Sequence, residues 1–183
     1  MTTVTKLYEA IVADLVAAGR LSPSKADANE PDSRYKSYGV RAAGKKQVIQ
    51  KHKTAVRALS LAEKRELAHK LIESRYGEQQ SVGLFVLEQI VDYFTPDKFS
   101  ELDRLIRCLH GWSTIDSYTG SLLRLVLERH PAELIELVRQ WNGDDDIWLR
   151  RASVVLFTRK VAKSGLHNDV ALSLCGNLVH DAE

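Results

Sequence analysis

The sequence has few cysteines, few prolines and no long apolar run, and these absences exclude several classes of protein. Its 183 residues include only two cysteines, Cys108 and Cys175, without CxxC spacing, which excludes a disulfide scaffold and argues against a structural zinc site. No apolar run approaches the roughly 20 residues of a membrane-spanning helix, and the N-terminus lacks the layout of a signal peptide. Hydrophobic residues make up 44% and charged residues 27%, as in ordinary globular domains. We expect a cytoplasmic protein that does not engage membranes.

The charge is nearly balanced overall but unevenly distributed. The formal net charge is +2, yet residues 34–57 contain no acid. The basic side chains of this segment are Arg34, Lys36, Arg41, Lys45, Lys46, Lys51, Lys53 and Arg57. Such a one-sided segment indicates a polyanionic partner. The alternative is a solvated lysine-rich helix face.

Helical periodicity runs through most of the chain and predicts an all-α fold. Apolar residues recur at helical spacing in at least four segments, and no segment shows the alternation of a strand. The pattern predicts a first helix over residues 3–18, a loop over residues 20–33 and a long, well-buried helix over residues 146–162. The helical stripes are Leu7, Ile11, Leu15 and Val16; Leu67, Ala68, Leu71 and Ile72; Phe99, Leu102, Leu105, Ile106 and Leu109; and Leu134, Ile135, Leu137, Val138 and Trp141.

Breaks between amphipathic segments recur at a nearly constant interval. Pro96, Pro131 and Gly165 follow one another at about 34 to 35 residues, and proline suits the first turn of a helix. Helix pairs repeated at this period are typical of helical solenoids, in which each pair buries its apolar face against its neighbours. We therefore predict a single domain over residues 1–183, formed as a right-handed superhelix of HEAT-like antiparallel helix pairs with a concave basic face.

Trp112 and Asp116 form one candidate site. Gly111 ends the preceding apolar segment and Thr114 can cap the next helix, which would place Asp116 in its first turn. There the helix dipole alone favours a carboxylate, which is the structural explanation for Asp116. The functional hypothesis is that an indole and a carboxylate four residues apart bind a cationic or cation-forming ligand.

Arg150 and Arg151 form a second candidate site. They lie in the first turn of an apolar helix, where a positive charge opposes the helix dipole. Asp144, Asp145 and Asp146 are close enough in sequence to pair with them, and this is the structural alternative. The functional hypothesis is that at least one guanidinium binds a phosphate with two hydrogen bonds.

Three segments in this order resemble one protein family. They are Tyr38-Gly39-Val40-Arg41 followed by a basic helix, residues 111–117 (GWSTIDS) and residues 146–152 (DIWLRRA). The chain is similar over about residues 35–179 to the AlkD-type DNA alkylation-repair glycosylases, which are built from HEAT-like repeats. The family's chains continue beyond the position of Glu183, so we expect this sequence to lack the family's C-terminal helices and their second active-site tryptophan.

The resemblance implies hydrolysis of the N-glycosidic bond of cationic alkylpurines, such as 3-methyladenine or 7-methylguanine, in double-stranded DNA. It assigns Asp116 as the catalytic carboxylate, Trp112 as its neighbouring tryptophan and Arg151 as a DNA-backbone ligand. Tyr38, Gly39 and Arg41 fall in the family's N-terminal DNA-contacting region, and we expect Arg150, Lys45 and Lys46 to bind phosphates as well. The family uses no metal or organic cofactor, and we expect a monomer.

The proposed chemistry suits these residue types. An alkylated purine already carries positive charge, so it can depart without a general acid and leave an oxocarbenium-like sugar. A carboxylate can stabilise that cation and orient water, and indole faces attract the same charge. Two alternatives remain: a non-catalytic HEAT-like homologue that binds DNA structure, and a protein-interaction scaffold.

Overall fold

Helices make up all the regular elements in the described part of the chain. The structure, a computed structural model, describes residues 2–21 and 36–181. An isolated β-bridge joins Lys36 and Tyr76. The predicted all-α class is confirmed. The α-helices are α1 (Thr3–Leu21), α2 (Ala42–Ala58), α3 (Leu61–Ile72), α4 (Gly77–Glu88), α5 (Phe99–Ile106), α6 (Trp112–Tyr118), α7 (Arg124–Arg129), α8 (Pro131–Asn142), α9 (Ile147–Val155), α10 (Arg159–Ser164) and α11 (Asn168–Asn177); Val91–Tyr93 and Pro96–Lys98 are 3-10 turns and Thr119–Leu123 is a π-helix.

The helices belong to two compact units. The first contains α1 to α4 together with Cys108–Thr114, and the second contains Val91–Arg107 and the helices from Ile115 onward. Each unit has its own apolar core, because the helical stripes of the sequence are buried within it. The largest fully buried side chains of the first unit are Ile11, Leu15, Leu67, Leu71, Ile72 and Leu87, and those of the second are Phe94, Leu102, Leu105, Ile106, Tyr118 and Trp141. The predicted single HEAT-like domain, its right-handed superhelix and its concave basic face stay predictions.

The first helix begins where the sequence predicts but ends later. It runs to Leu21, so Arg20 and Leu21, the first two residues of the predicted loop, are helical. Gly19 lies within this helix, at a position that has no room for a side chain. A Cβ there would lie 2.2 Å from the carbonyl oxygen of Tyr38. Residues 22–33 of the predicted loop lie outside the described residues.

Replacing Gly19 with alanine is expected to lower the thermal unfolding midpoint. The new methyl group would push the backbone of α1 away from the backbone at Tyr38. Overpacking of this kind destabilises proteins by about 1–3 kcal/mol. Gly176→Ala is the matched control, since nothing lies within 4 Å of a Cβ at Gly176 in α11. There the higher helix propensity of alanine should stabilise slightly. Thermal melts of the two variants showing equal midpoints would contradict the close approach at Gly19.

The second unit confirms the proline-started helices and corrects one long helix. Pro131 occupies the first turn of α8, and Pro96 that of a 3-10 turn. The helix predicted over residues 146–162 is wrong, because α9 ends at Val155 and α10 starts at Arg159. Arg159 has a φ of 52°, a left-handed conformation that interrupts the helix. No helix in the described part of the chain is long and apolar enough to span a membrane.

Candidate functional site

Asp116 and Arg151, predicted separately from two motifs, contact each other directly in the second unit. Arg151 Nε donates to Asp116 Oδ1 at 2.9 Å and Nη2 donates to Oδ2 at 3.0 Å. This is the two-pronged geometry in which a guanidinium matches a carboxylate or a phosphate. The Asp116 side chain is 13% exposed and that of Arg151 is 38% exposed. The carboxylate is therefore sheltered, while its partner faces solvent.

The helix that carries Asp116 starts two residues earlier than Thr114. Gly111, with a φ of 87°, makes the turn, and Trp112 is the first residue of α6. Thr114 is not the cap, because it lies inside the helix, is 3% exposed and donates its backbone N–H to the Gly111 carbonyl at 3.2 Å. Asp116 is thus the fifth helical residue, so the predicted first-turn position is wrong. Neither does the dipole explanation hold, since that effect fades beyond the first turn.

A π-helix begins three residues after Asp116. Thr119–Leu123 adopts this rare form between α6 and α7. Thr119 is fully buried, and its hydroxyl donates to the carbonyls of Ile115 and Asp116, both at 3.1 Å. Single π-turns within α-helices occur frequently at functional sites. Here the π-helix fixes the backbone shortly after the carboxylate.

Arg151 is held by the packing of α9. Asp146 caps that helix, since its Oδ1 accepts from the backbone N–H of Trp148 at 2.9 Å. Trp148 is 4% exposed. Asn142, at the end of α8, donates to Ser153 Oγ at 2.9 Å. These contacts fix the start of α9, from which the Arg151 side chain reaches Asp116.

Arg150 has acidic partners, and its side chain ties the start of α9 to the end of the chain. Its guanidinium pairs with the Asp181 carboxylate and donates to the backbone carbonyls of Asp144 and Asp145 at 3.1 and 3.0 Å. The partners predicted from sequence were the side chains of Asp144 to Asp146. The structure instead supplies two of their carbonyls and a carboxylate 31 residues away.

The loop before α9 is fixed by an ion-pair network. Arg107 donates to Asp103 at 3.0 Å and to Asp144 at 2.9 Å, and Trp141 Nε1 donates to Asp103 at 2.8 Å. The Arg107 guanidinium, together with the backbone N–H of Asp146, holds the pKa of the Asp144 carboxyl below its usual range. A carboxyl with a lowered pKa stabilises the fold above its unfolded pKa, and this contribution is lost as the pH falls through the folded value.

Asp144→Asn is therefore expected to lower stability near pH 7 by less than about 1 kcal/mol, because the pair is partly exposed. The difference from wild type should shrink as the pH falls from about 4 through the lowered pKa of the folded Asp144 carboxyl, because the side chain at this position is neutral in both proteins only below that pKa. Asp145→Asn removes an exposed neighbouring carboxylate and is the control. Urea unfolding from pH 7 to pH 2.5 measures both; a destabilisation by Asp144→Asn that is constant with pH would contradict the ion-pair contribution.

Residues 36–57 of the predicted basic segment lie in the first unit, before and along α2, whereas Arg34 lies outside the described residues. The buried stripe of this helix is Val48, His52 and Val56, so its lysines lie off the core face. Arg41 is the N-cap residue and makes no side-chain cap bond, Lys45 is half-buried and Lys46 is exposed. Basic side chains beside the free N–H groups of a helix start suit an anion.

Tyr38 precedes this helix and is packed between polar and aromatic groups. Its ring stacks on Tyr76 with centroids 4.1 Å apart, and its hydroxyl accepts from Gln79 Nε2 at 2.6 Å. Burial raises the pKa of the Tyr38 hydroxyl, although the bond from Gln79 opposes the shift. The ring therefore serves as a fixed part of the entry to α2.

Trp112 is 48% exposed, and its indole is the most exposed of the three tryptophans. A large apolar side chain left half in solvent at a helix start is available to a ligand. Among residues 2–21 and 36–181, no group of three or more His, Cys, Asp and Glu side chains is arranged to hold a metal ion.

Sequence reasoning missed three polar residues in the first turn of α4. Glu78, Gln79 and Gln80 are each at most 3% exposed. They contact Tyr38, its neighbours and the loop before Trp112. The available signal was the run of four polar residues from Glu78 to Ser81 near the start of a largely apolar helix.

Comparison with known families assigns the chain. A model of the DNA alkylation repair enzyme family matches residues 20–183. No curated protein matches the chain. Since the match covers most of the sequence, the chain belongs to the DNA alkylation repair enzyme family. The predicted resemblance is confirmed at this level.

Proposed function

Starting from membership of the DNA alkylation repair enzyme family, we propose that this protein is a DNA glycosylase for cationic alkylpurines. It hydrolyses the N-glycosidic bond of bases of the 3-methyladenine and 7-methylguanine type in double-stranded DNA. The observation that carries the proposal is the ion pair between Asp116 and Arg151. It brings together the carboxylate proposed to act on the sugar and the guanidinium proposed to bind the adjoining phosphate.

Asp116 is the catalytic residue of this proposal. As the cationic base leaves, positive charge develops on the deoxyribose, and a sheltered carboxylate stabilises it more strongly than one in water. The glycosidic bond breaks with both of its electrons staying on the purine, which leaves as a neutral base. The same carboxylate orients the water that attacks C1′ and accepts the proton that this water loses as the sugar hydroxyl forms. The exposed indole of Trp112 adds attraction to the cation of about 0.5–2 kcal/mol.

Arg151 has to change partner for this chemistry to proceed. While it pairs with Asp116, its positive charge offsets the negative charge that would stabilise the sugar. A DNA phosphate offers the guanidinium the same two-pronged geometry. We propose that a bound phosphate draws Arg151 away, so the carboxylate becomes fully available only when DNA is present.

Further phosphate contacts come from Arg41, Lys45 and Lys46, and Tyr38, three residues before Arg41, belongs to the same proposed DNA-contacting region. Arg150 is a weaker phosphate ligand in this proposal, because its donors already serve Asp181 and two carbonyls. We propose that the protein acts as a cytoplasmic monomer without a metal or organic cofactor.

A non-catalytic DNA-binding protein is the second candidate. The observation that favours it is that both Asp116 oxygens are occupied by Arg151. If no phosphate displaces Arg151, the chain would bind DNA without cleaving it. A protein-interaction scaffold is the third possibility, and it requires no DNA binding at all.

Incubating the wild-type protein with a duplex containing 7-methylguanine separates the three. A glycosylase releases the free base, measured by liquid chromatography, and leaves an abasic site. Salt-dependent DNA binding without base release identifies the non-catalytic binder. Absence of DNA binding at low salt identifies the scaffold.

A further inference from the structure

Glu78 is a buried carboxylate that the proposed chemistry does not use. It is the second residue of α4 and is 3% exposed. Its Oε1 accepts from the Ser37 hydroxyl at 2.7 Å and from the Val40 backbone N–H at 3.0 Å, and its Oε2 accepts from the Tyr38 backbone N–H at 3.1 Å. A buried negative charge is tolerated where several donors and a helix start compensate it.

Residues 36–40, which include the hydrogen-bond donors to Glu78, form no helix and no β-ladder. Residues 36–40 connect to α4 through the bonds of Lys36 N–H to the Arg75 carbonyl at 2.7 Å and of Gly77 N–H to the Lys36 carbonyl at 3.0 Å. The residues that donate to Glu78 lie on both sides of Gly39, whose φ is 75°. One carboxylate thus fixes the turn through which the chain enters Arg41 and α2.

The neighbouring glutamines fix adjoining parts of the first unit. Gln79 binds the Tyr38 hydroxyl, and Gln80, which is fully buried, donates to the Cys108 carbonyl at 2.7 Å and the Ile72 carbonyl at 3.1 Å. Cys108 begins the loop that leads to Trp112. The polar first turn of α4 therefore holds the two segments of this unit that carry proposed DNA contacts.

We propose that Glu78 is a positioning residue for DNA binding, which acts by holding Ser37, Tyr38 and Val40 so that Arg41 and the first turn of α2 meet the phosphate backbone. The proposal rests on the proposed DNA-binding function. Its effect is expected on affinity and not on the chemical step, because Glu78 is buried against Ser37, Tyr38 and Val40 and is not proposed to contact the base or the sugar. Glu78 is acidic, so simple charge attraction predicts that removing its charge would strengthen DNA binding.

Glu78→Gln tests this inference. An amide nitrogen would face the Tyr38 N–H, so that bond and the charge are lost. DNA affinity is expected to fall about tenfold, the effect of roughly one lost hydrogen bond to a charged group. The rate of base release at saturating DNA is expected to stay within about twofold of wild type, since transition-state interactions are retained. Amide hydrogen exchange at Tyr38 and Val40 should become faster.

Glu66→Gln is the matched control, because it removes one exposed acid from α3 in the same unit and changes the net charge equally. Equal affinities of Glu78→Gln and Glu66→Gln would overturn the inference, as would a loss confined to the release rate.

If Glu78→Gln is poorly folded, Ser37→Ala takes its place. Ser37 is exposed, and this substitution removes only the hydrogen bonds of its hydroxyl to Glu78 and to the Gly39 N–H. That variant should weaken DNA binding about twofold to fivefold, a fraction of one hydrogen bond; unchanged affinity overturns the inference. Failure of the wild-type protein itself to bind duplex DNA would instead reject the proposed function.

Discussion

Asp116→Asn is expected to lower the rate of 7-methylguanine release by at least about 100-fold, the effect of removing one preorganised electrostatic stabiliser. Asparagine keeps the shape of the side chain but cannot supply negative charge to the developing sugar cation. Its amide also presents donors where the carboxylate accepts from Arg151. The rate should be measured under single-turnover conditions with enzyme in excess, so that weak binding cannot mimic slow chemistry.

The same substitution should leave DNA affinity unchanged or slightly higher. Arg151 loses its carboxylate partner, and a guanidinium that is 38% exposed then has only solvent and phosphate to bind. Stability should fall by about 1–2 kcal/mol, because the two hydrogen bonds to the sheltered carboxylate are weakened while Arg151, at 38% exposed, stays hydrated. Opposite effects on rate and affinity distinguish a catalytic carboxylate from one that only orients Arg151.

Asp169→Asn is the control for Asp116→Asn. Asp169 is an exposed acid in the first turn of α11, and its replacement changes the net charge by the same amount. Its rate of base release should equal that of wild type. An Asp116→Asn enzyme as fast as the Asp169→Asn enzyme would reject Asp116 as the catalytic residue.

The sequence predicted helices well where a single apolar stripe decides the structure. Leu67, Ala68, Leu71 and Ile72 are all fully buried, as are Ile11 and Leu15. Helix ends were predicted less well, because they depend on individual backbone angles. Gly111, with a φ of 87°, makes a turn that lets α6 start at Trp112, earlier than predicted. Arg159, with a φ of 52°, interrupts the helix that the apolar pattern predicts as continuous.

The candidate site was predicted as separate residues and not as a network. Asp116 and Arg151 were each singled out from their motifs, but they are 35 residues apart in sequence, and no local pattern indicates their pairing. Glu78 was missed for the same reason, since the groups it binds lie 38 to 41 residues away. Polar partners this distant are determined by packing, which local periodicity does not report.

The basic start of α2 provides the second large expected effect. Replacing Arg41, Lys45 and Lys46 together with alanine should weaken binding to duplex DNA by about 100-fold at low salt, roughly 1 kcal/mol for each phosphate contact. The plot of log affinity against log salt should become shallower by about 2.7, since each neutralised phosphate contributes about 0.9 to the slope. Fluorescence anisotropy across a salt titration measures both quantities. Base release at saturating DNA should be retained, because none of the three side chains is proposed to touch the sugar.

A charge-matched variant shows whether position or total charge causes the loss. Lys70, Arg139 and Lys163 are exposed basic residues on α3, α8 and α10. Replacing these three with alanine changes the net charge from +2 to −1, as does the α2 triple substitution, since each removes three positive charges. If binding depends on the acid-free segment, the control should lose only a small part of its affinity and keep the wild-type salt slope. Equal losses in the two triple variants would mean that DNA senses only the overall charge, and the start of α2 would then have no special place in the interface.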